Sequence, residues 1–470
     1  MRASLNIKNI NIRKLFKHKN KEKIVILMFS IILIYLLASL YFIDHFFFNT
    51  IINEVDVSLK THADAEQMMK KYIKSYELRL IERNDRTEKI TGQEIGMRYN
   101  EQNNINRIYH MQKSYQWIKS LFKKQKYYQK ELFTYEEELL EKKLDQLNCL
   151  NNNTVKPRNV GFRYSNGSYE IVKEVYGNKI IKDKLKKNIK LYILKGKMEL
   201  DFDENHCYEN PDYTLDSEKT HKTQNSLNKY VSANITYIFG DEKEILDGKI
   251  ISRWIGVDEN LEVVLSKAAV KNYIKGLSKK YDTVGITRNF KTSTGKIIEV
   301  TGGLYGWKMN QDVETISLLE DIEHGKVLEK EPVYIQKALS RGEDEIGSTY
   351  VEINITRQHL WFYKDGKLIT RGPVVTGNPG RGNSTVVGTY MLNYKQRGVM
   401  LIGPNYQVKV NYWMPFYGNI GIHDALWRRS FGGEIYKRNG THGCVNAPLY
   451  LAKTIFENIE EGIPIICYEE

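Results

Sequence analysis

Gly421-Ile422-His423-Asp424 and, further on, Thr441-His442-Gly443-Cys444-Val445-Asn446 are the stretches that decide how this chain is understood. A cysteine with histidines nearby suits thiolate chemistry, because the thiolate is the nucleophile. Cys444 is framed by Gly, His and Asn rather than by aliphatic residues. Cys467, in Ile-Pro-Ile-Ile-Cys-Tyr, has the opposite setting and reads as inert core. A helix is expected from about Ala447-Pro448, which would set a positive helix end beside the thiolate. Its free N–H groups, with those of Gly443 and Cys444, would suit an oxyanion. Gly443 would let backbone approach a substrate closely. His423, His442 and Cys444 lack the paired spacing of a zinc site, so no metal is assigned. Cys149 and Cys207 read as incidental, and His206 and His359 as structural.

Around this centre the texture is that of strands. Val351, Ile353 and Ile355 alternate with polar residues, as in a half-buried strand. Asp365-Gly366 sits between Leu360–Tyr363 and Lys367–Thr370, a hairpin signal. Further strands are expected at Pro373–Thr376, Gly388–Tyr394, Val408–Met414 and Ile463–Tyr468, and one clear helix at Pro448–Asn458. Residues 349–470 thus form a mainly-β domain of about 120 residues, enough for one core. Gly377–Ser384 lacks the lysine of a phosphate loop, holding Asn383 there, and reads as a surface loop.

Upstream, Ile24–Ile43 is uncharged and long enough to span a bilayer. Eight Lys or Arg against one Glu occupy the first 23 residues, which puts the N-terminus inside and the rest outside. A cleaved signal peptide would have a shorter apolar run and small residues at its exit. Tyr41, Phe42 and Phe46–Phe48 suit an aromatic belt at the outer interface. The middle of the chain reads as α+β modules in tandem, residues 50–215 and 216–345. Ile90–Asn100 resembles Val300–Asn310, both with Thr-Gly, and each follows a helical pattern (Ala63–Tyr76; Leu265–Tyr281). Asn104–Leu147 favours helix, and Tyr169–Val172 a strand after a turn at Asn166-Gly167.

The chain has 470 residues and a net charge of +13. That charge favours anionic partners, yet there is no basic stripe with stacking aromatics, which argues against nucleic acid.

The Thr-His-Gly-Cys-Val-Asn stretch, with His423 upstream and Thr376-Gly377 and Gly388-Thr389-Tyr390 before it, resembles the signature of the L,D-transpeptidases (the YkuD-domain family). Val386 stands where the family usually has proline. The middle region resembles the peptidoglycan-binding modules that precede this domain in some relatives. The resemblance implies a thioester at Cys444, formed from the third residue of a donor stem peptide with release of D-Ala. An amine of an acceptor stem then closes a cross-link between third residues. It implies His423 as general base, oriented by the main-chain carbonyl of Asp424, and His442 and Gly443 at the oxyanion and donor site. Thr441 and Asn446 would support that site; Thr441 could also be a turn residue, and Trp427 a pocket wall or core. Acylation by carbapenems is implied too. No cofactor is expected. The whole is then a membrane-anchored extracellular enzyme facing the cell wall, with a cytoplasmic tail (1–23) and a transmembrane helix (24–43). Alternatives are an L,D-carboxypeptidase, where water resolves the thioester, and a non-catalytic wall-binding scaffold. The oligomeric state and the ionisation of the Cys444–His423 pair stay open.

Overall fold

The computed structural model describes residues 21–102, 105–151, 153–342, 345–403 and 406–470. Most of the basic tail, residues 1–20, lies outside the described residues. The chain forms two compact units, residues 1–161 with 172–216, and residues 162–171 with 217–470.

In the first unit the apolar run is a helix, α1 (Lys21–Tyr41). Its stretch Lys23–Tyr41 has a mean hydropathy of 2.7 and is not buried in protein. At 1.5 Å per residue these 19 residues reach about 29 Å, the thickness of a hydrocarbon core. Three of the rings expected in an aromatic belt have a different place: Phe42, Phe46 and Phe47 are buried in protein. The chain turns at Phe42, whose ring lies 5.9 Å from that of Trp117 and 5.4 Å from that of Phe47. Burial in protein removes these rings from water as well as a headgroup layer would.

The rest of the unit is built on α2 (His62–Lys74), β1 (Glu77–Ile81), β2 (Thr87–Thr91), α3 (Lys182–Lys195) and β3 (Glu199–Asp201). Thr61 caps α2 by accepting from the Asp64 amide. β1 and β2 are an antiparallel hairpin, and β3 adds parallel to β1. Ala65, Met69 and Ile73 on α2 and Leu185, Ile189 and Ile193 on α3 recur at helical spacing. They share one core with Leu78, Leu80 and Leu200. Asn104–Leu147 is not one helical stretch. It is cut by short strands at Gln125–Tyr127 and Phe133–Thr134, whose β-favouring aromatics pair with Thr50–Ile52 and Arg98–Tyr99. Ser168–Val172 is a strand, as expected, and belongs mostly to the second unit.

The second unit repeats the scheme with α4 (Glu218–Val231), β4 (Asn234–Phe239) and β5 (Glu242–Leu246). It then inserts α5 (Lys267–Tyr281), β6 (Arg288–Lys291) and β7 (Ile297–Val300), and ends on α6 (Gln311–Glu323) and β8 (Val327–Lys330). β4 and β5 form the hairpin and β8 runs parallel to β4. The tandem repeat is therefore helix, hairpin, later helix, parallel strand. Its register differs from the Thr-Gly match: the counterpart of β1–β2 is β4–β5, whereas Val300–Asn310 starts at the end of the inserted β6–β7 hairpin. A Thr-Gly turn is a local device that any hairpin can use, so it aligned two segments of different tertiary role.

The C-terminal part has β9 (Tyr350–Asn354), β10 (His359–Lys364), β11 (Lys367–Pro373), β12 (Gly388–Met391), β13 (Gln396–Gly403), β14 (Tyr406–Tyr417), β15 (Ile420–Asp424), β16 (Val445–Ala447), α7 (Leu449–Asn458) and β17 (Pro464–Tyr468). They make a five-stranded sheet, β11-β10-β9-β17-β12, and a four-stranded one, β13-β14-β15-β16. Their inner faces and α7 enclose one core, with Val351, Ile353, Met414, Ile422, Ile455 and Cys467 in it. The expected strand at Pro373–Thr376 mostly lies beyond β11, where Val375 makes an isolated bridge to Asn446. β13 carried no expectation.

β9 is not half-buried. Glu352 and Asn354 on its polar face are fully buried. The β6–β7 hairpin covers that face through Phe290 and Val300, which pack with Ile466 and Tyr468. Glu352 accepts from the Ser293 amide and hydroxyl and from Tyr468 Oη at 2.6 Å, so its carboxylate is satisfied on burial. The segment after β7 also docks: Gly303 bridges Thr389 on edge strand β12. Gly303 has φ +90°, and a Cβ there would lie 2.0 Å from the Thr389 carbonyl oxygen. Only glycine fits this crossing.

Candidate active site

β15 and β16 run side by side, pairing Ile422 with Val445 and His423 with Asn446. That register brings Cys444, just before β16, next to Gly421 at the start of β15. Cys444 and His423 line one cavity of about 310 Å³. Leu401, Tyr406 and Val408 of the β13–β14 hairpin wall it, with Trp427 and Arg428 from the loop after β15.

His423 is buried. Its Nδ1 is 2.9 Å from the Asp424 carbonyl. A carbonyl only accepts, so Nδ1 carries the proton and Nε2 keeps its lone pair. The ring lies 5.8 Å from that of Trp413 and 6.0 Å from that of Trp427, which hold it laterally. Burial holds this imidazole below its usual pKa, against the Asp424 carbonyl and with the Arg428 charge. The Asp424 carboxylate faces elsewhere. It accepts from the amides of Asn411 and Tyr412 and from Asn411 Nδ2, each at 2.8 Å. Asp424 therefore reaches the site through its main chain.

Cys444 is half-buried, its Sγ 3.5 Å from the Asn419 carbonyl. Burial pushes its thiol up to about 11, against a bond from the Gly421 amide. The expected helix does not help. β16 intervenes before α7, and a strand advances about 3.3 Å per residue, so the helix end lies far from the sulfur. The pair rests as neutral thiol and neutral imidazole.

The turn carrying the thiol is stapled from within. Thr441 Oγ1 donates to the Cys444 carbonyl at 2.6 Å and accepts from the Gly443 amide at 3.0 Å. Gly443 has φ +120°, which disfavours any side chain there. Its amide is thus engaged and not free for an oxyanion. Among the described residues, the amides of His442 and Cys444 have no protein acceptor. His442 is exposed and stacks on Tyr406, ring centres 4.9 Å apart. Asn446 is buried at the cavity wall, its backbone paired with Val375.

Several positioning residues carried no sequence signal. Thr385 Oγ1 accepts from the Gly377 amide at 2.9 Å and donates to the Gly443 carbonyl at 2.7 Å. Gln358, buried, bonds the Thr376 amide and hydroxyl, and the Thr376 carbonyl accepts from the Thr441 amide. The loop read as mere surface is therefore a brace for the turn that carries Cys444. Val386, the departure from the family pattern, packs against the core.

Two family models match. The L,D-transpeptidase catalytic domain covers residues 348–467. The model described as "Putative peptidoglycan binding domain" matches residues 88–201 and 213–328. No curated protein matches. A cysteine-to-serine variant of the Enterococcus faecium L,D-transpeptidase is 30% identical, over 53% of this chain and 100% of that one, with a TM-score of 0.43. The Ldtfm–avibactam carbamoyl enzyme is also 30% identical, over 53% and 99%, with a TM-score of 0.44. The E. faecium catalytic domain acylated by ertapenem is 36% identical, over 26% and 98%, with a TM-score of 0.25. By the catalytic-domain match and by 30% identity along the full length of a relative, this chain belongs to the L,D-transpeptidase family.

Proposed function

We propose that Cys444 and His423 join the third residues of two peptidoglycan stem peptides. The observation that carries this is a cysteine sharing one cavity with a histidine whose Nδ1–H is tied to a backbone carbonyl. Nε2 of His423 takes the thiol proton as sulfur attacks the donor carbonyl. The oxyanion meets the His442 and Cys444 amides. The intermediate collapses to a thioester, and the same proton leaves with the D-Ala amine. An acceptor amine, deprotonated by His423, then attacks the thioester carbonyl, and the proton returns to sulfur. Thr441 shapes the turn, Gly443 permits it, and Asn446 and Trp427 wall the donor. The E. faecium catalytic domain acylated by ertapenem supports carbapenem acylation here, at Cys444.

The chain is then organised as tail (1–23), membrane helix (24–43), two wall-binding modules (50–215 and 216–345) and catalytic domain (349–470). The apolar helix and the basic tail support an anchor with the tail in the cytoplasm and the enzyme facing the wall. Incubation with a tetrapeptide-stem disaccharide tests the chemistry. Dimer and free D-Ala are expected, and Cys444→Ala should give neither. Trimmed monomer without dimer would instead identify a carboxypeptidase. Alkaline extraction of membranes tests the anchor, which should keep the protein in the pellet.

A further inference from the structure

Beside the catalytic cavity is a second, larger one of about 770 Å³, lined by the loop that joins His423 to Thr441. Trp427 and Arg428 belong to both. The second cavity is strongly basic. Arg428, Arg429, Lys437 and Arg438 line it against a single acid, Glu434. Glu434 is engaged by Lys437, 2.5 Å away. Among the described residues, no carboxylate or hydrogen-bond acceptor engages the guanidinium groups of Arg428, Arg429 or Arg438. Arg428 is half-buried, and its Nε is shut off from solvent with no partner. Leaving a buried donor unpaired is costly, so Arg428 held this way is matched to an acceptor brought by a ligand. Half-buried Arg428 with exposed Arg429 and Arg438, around a cavity that shares Trp427 and Arg428 with the Cys444 pocket, favours a planar anion.

We propose that this cavity binds a free carboxylate of the stem peptide, with Arg428 as the link to the reacting centre and Arg429 and Arg438 as the outer clamp. This rests on the reading of Cys444 as the nucleophile on stem peptides. A tetrapeptide donor offers two sources: the C-terminal carboxylate of the leaving residue, and an acidic side group further along the stem. Both present the same two oxygens to a guanidinium. The cavity makes these arginines specificity-determining, since a neutral carboxamide offers no charge to match them.

The test compares three donors with the full-length protein: one with free carboxylates, one amidated at the C-terminus and one amidated at the side carboxylate. Release of the leaving residue gives kcat/KM for each. The wild type should favour the free donor over one amidated donor by roughly ten- to a hundredfold, and which one names the source. In Arg429→Gln/Arg438→Gln the ratio should fall to within about twofold. A misfolded variant would slow all three donors together and leave the ratio alone; an unchanged melting temperature checks this separately. Three equal donors in the wild type, or an unchanged ratio in a folded double variant, would overturn the carboxylate site alone. No release from any donor would overturn the reading of Cys444 beneath it.

Discussion

The His423 imidazole hydrogen-bonds the main-chain carbonyl of its own neighbour, Asp424, at 2.9 Å, while the Asp424 carboxylate turns away to Asn411 and Tyr412. The imidazole is thus oriented by a carbonyl dipole rather than by a hydrogen bond to a carboxylate. Burial lowers the imidazole pKa and outweighs the Asp424 carbonyl bond and the Asp424 charge, which raise it.

The thiol titrates at about 11 and the imidazole below its ordinary 6.5, so at pH 7 both are neutral. Acylation by a carbapenem should be flat from pH 7 to 8 and fall below pH 6.5, as His423 gains a proton and can no longer accept one. Alkylation of the resting thiol by iodoacetamide should be slow at pH 7 and climb toward about 11. Rapid alkylation that levels off near pH 6 would mean an imidazolium–thiolate pair instead. His423→Gln should slow acylation by roughly a hundredfold to ten-thousandfold, measured by intact mass.

Thr385→Val keeps the shape but removes both bonds of the brace, leaving the Gly377 amide and the Gly443 carbonyl unpaired. A stability loss of about 2 kcal/mol is expected by urea unfolding, with acylation slowed roughly tenfold as the turn loosens. An acylation rate equal to wild type would rule out a positioning role.

Arg288, the first residue of β6, and Glu345 form a buried pair 2.6 Å apart. Glu345 also takes a bond from Thr283, and its carbonyl one from Tyr305 Oη. Glu345→Ala leaves the buried Arg288 charge with only the Ile286 and Thr283 carbonyls and no counter-charge. It should destabilise the second unit by about 3–5 kcal/mol, read as a shifted calorimetric transition.

Gly303→Ala would drive a methyl into the Thr389 backbone. The hairpin segment should lift from β12 at a cost of at least about 2 kcal/mol, with faster amide exchange at Thr389 and Tyr305.

Removing the apolar helix has a structural limit. A soluble chain beginning at His45 loses Phe42, whose ring packs on Trp117. It should be about 1.5–3 kcal/mol less stable in its first unit than one beginning at Tyr41. Equal unfolding midpoints would show that the ring adds nothing to the stability of this unit.

The sequence by itself determined what is local. Twenty uncharged residues can only be an apolar helix, Asp365-Gly366 can only close a hairpin, and the cysteine between Gly443 and Val445 stood out from the aliphatic setting of Cys467. The tertiary structure decided what depends on distant partners. Glu352 and Asn354 alternate like a solvent-facing row, yet a hairpin some sixty residues upstream buries them. The repeat register was misplaced because pairing of β4 with β8 joins residues far apart in the chain. The helix expected to lower the Cys444 pKa is pushed away by β16, a strand defined by its partners β15 and Val375. Thr385, Gln358 and the arginine-lined cavity left no motif, since burial and spacing of their partners exist only after the sheets have met.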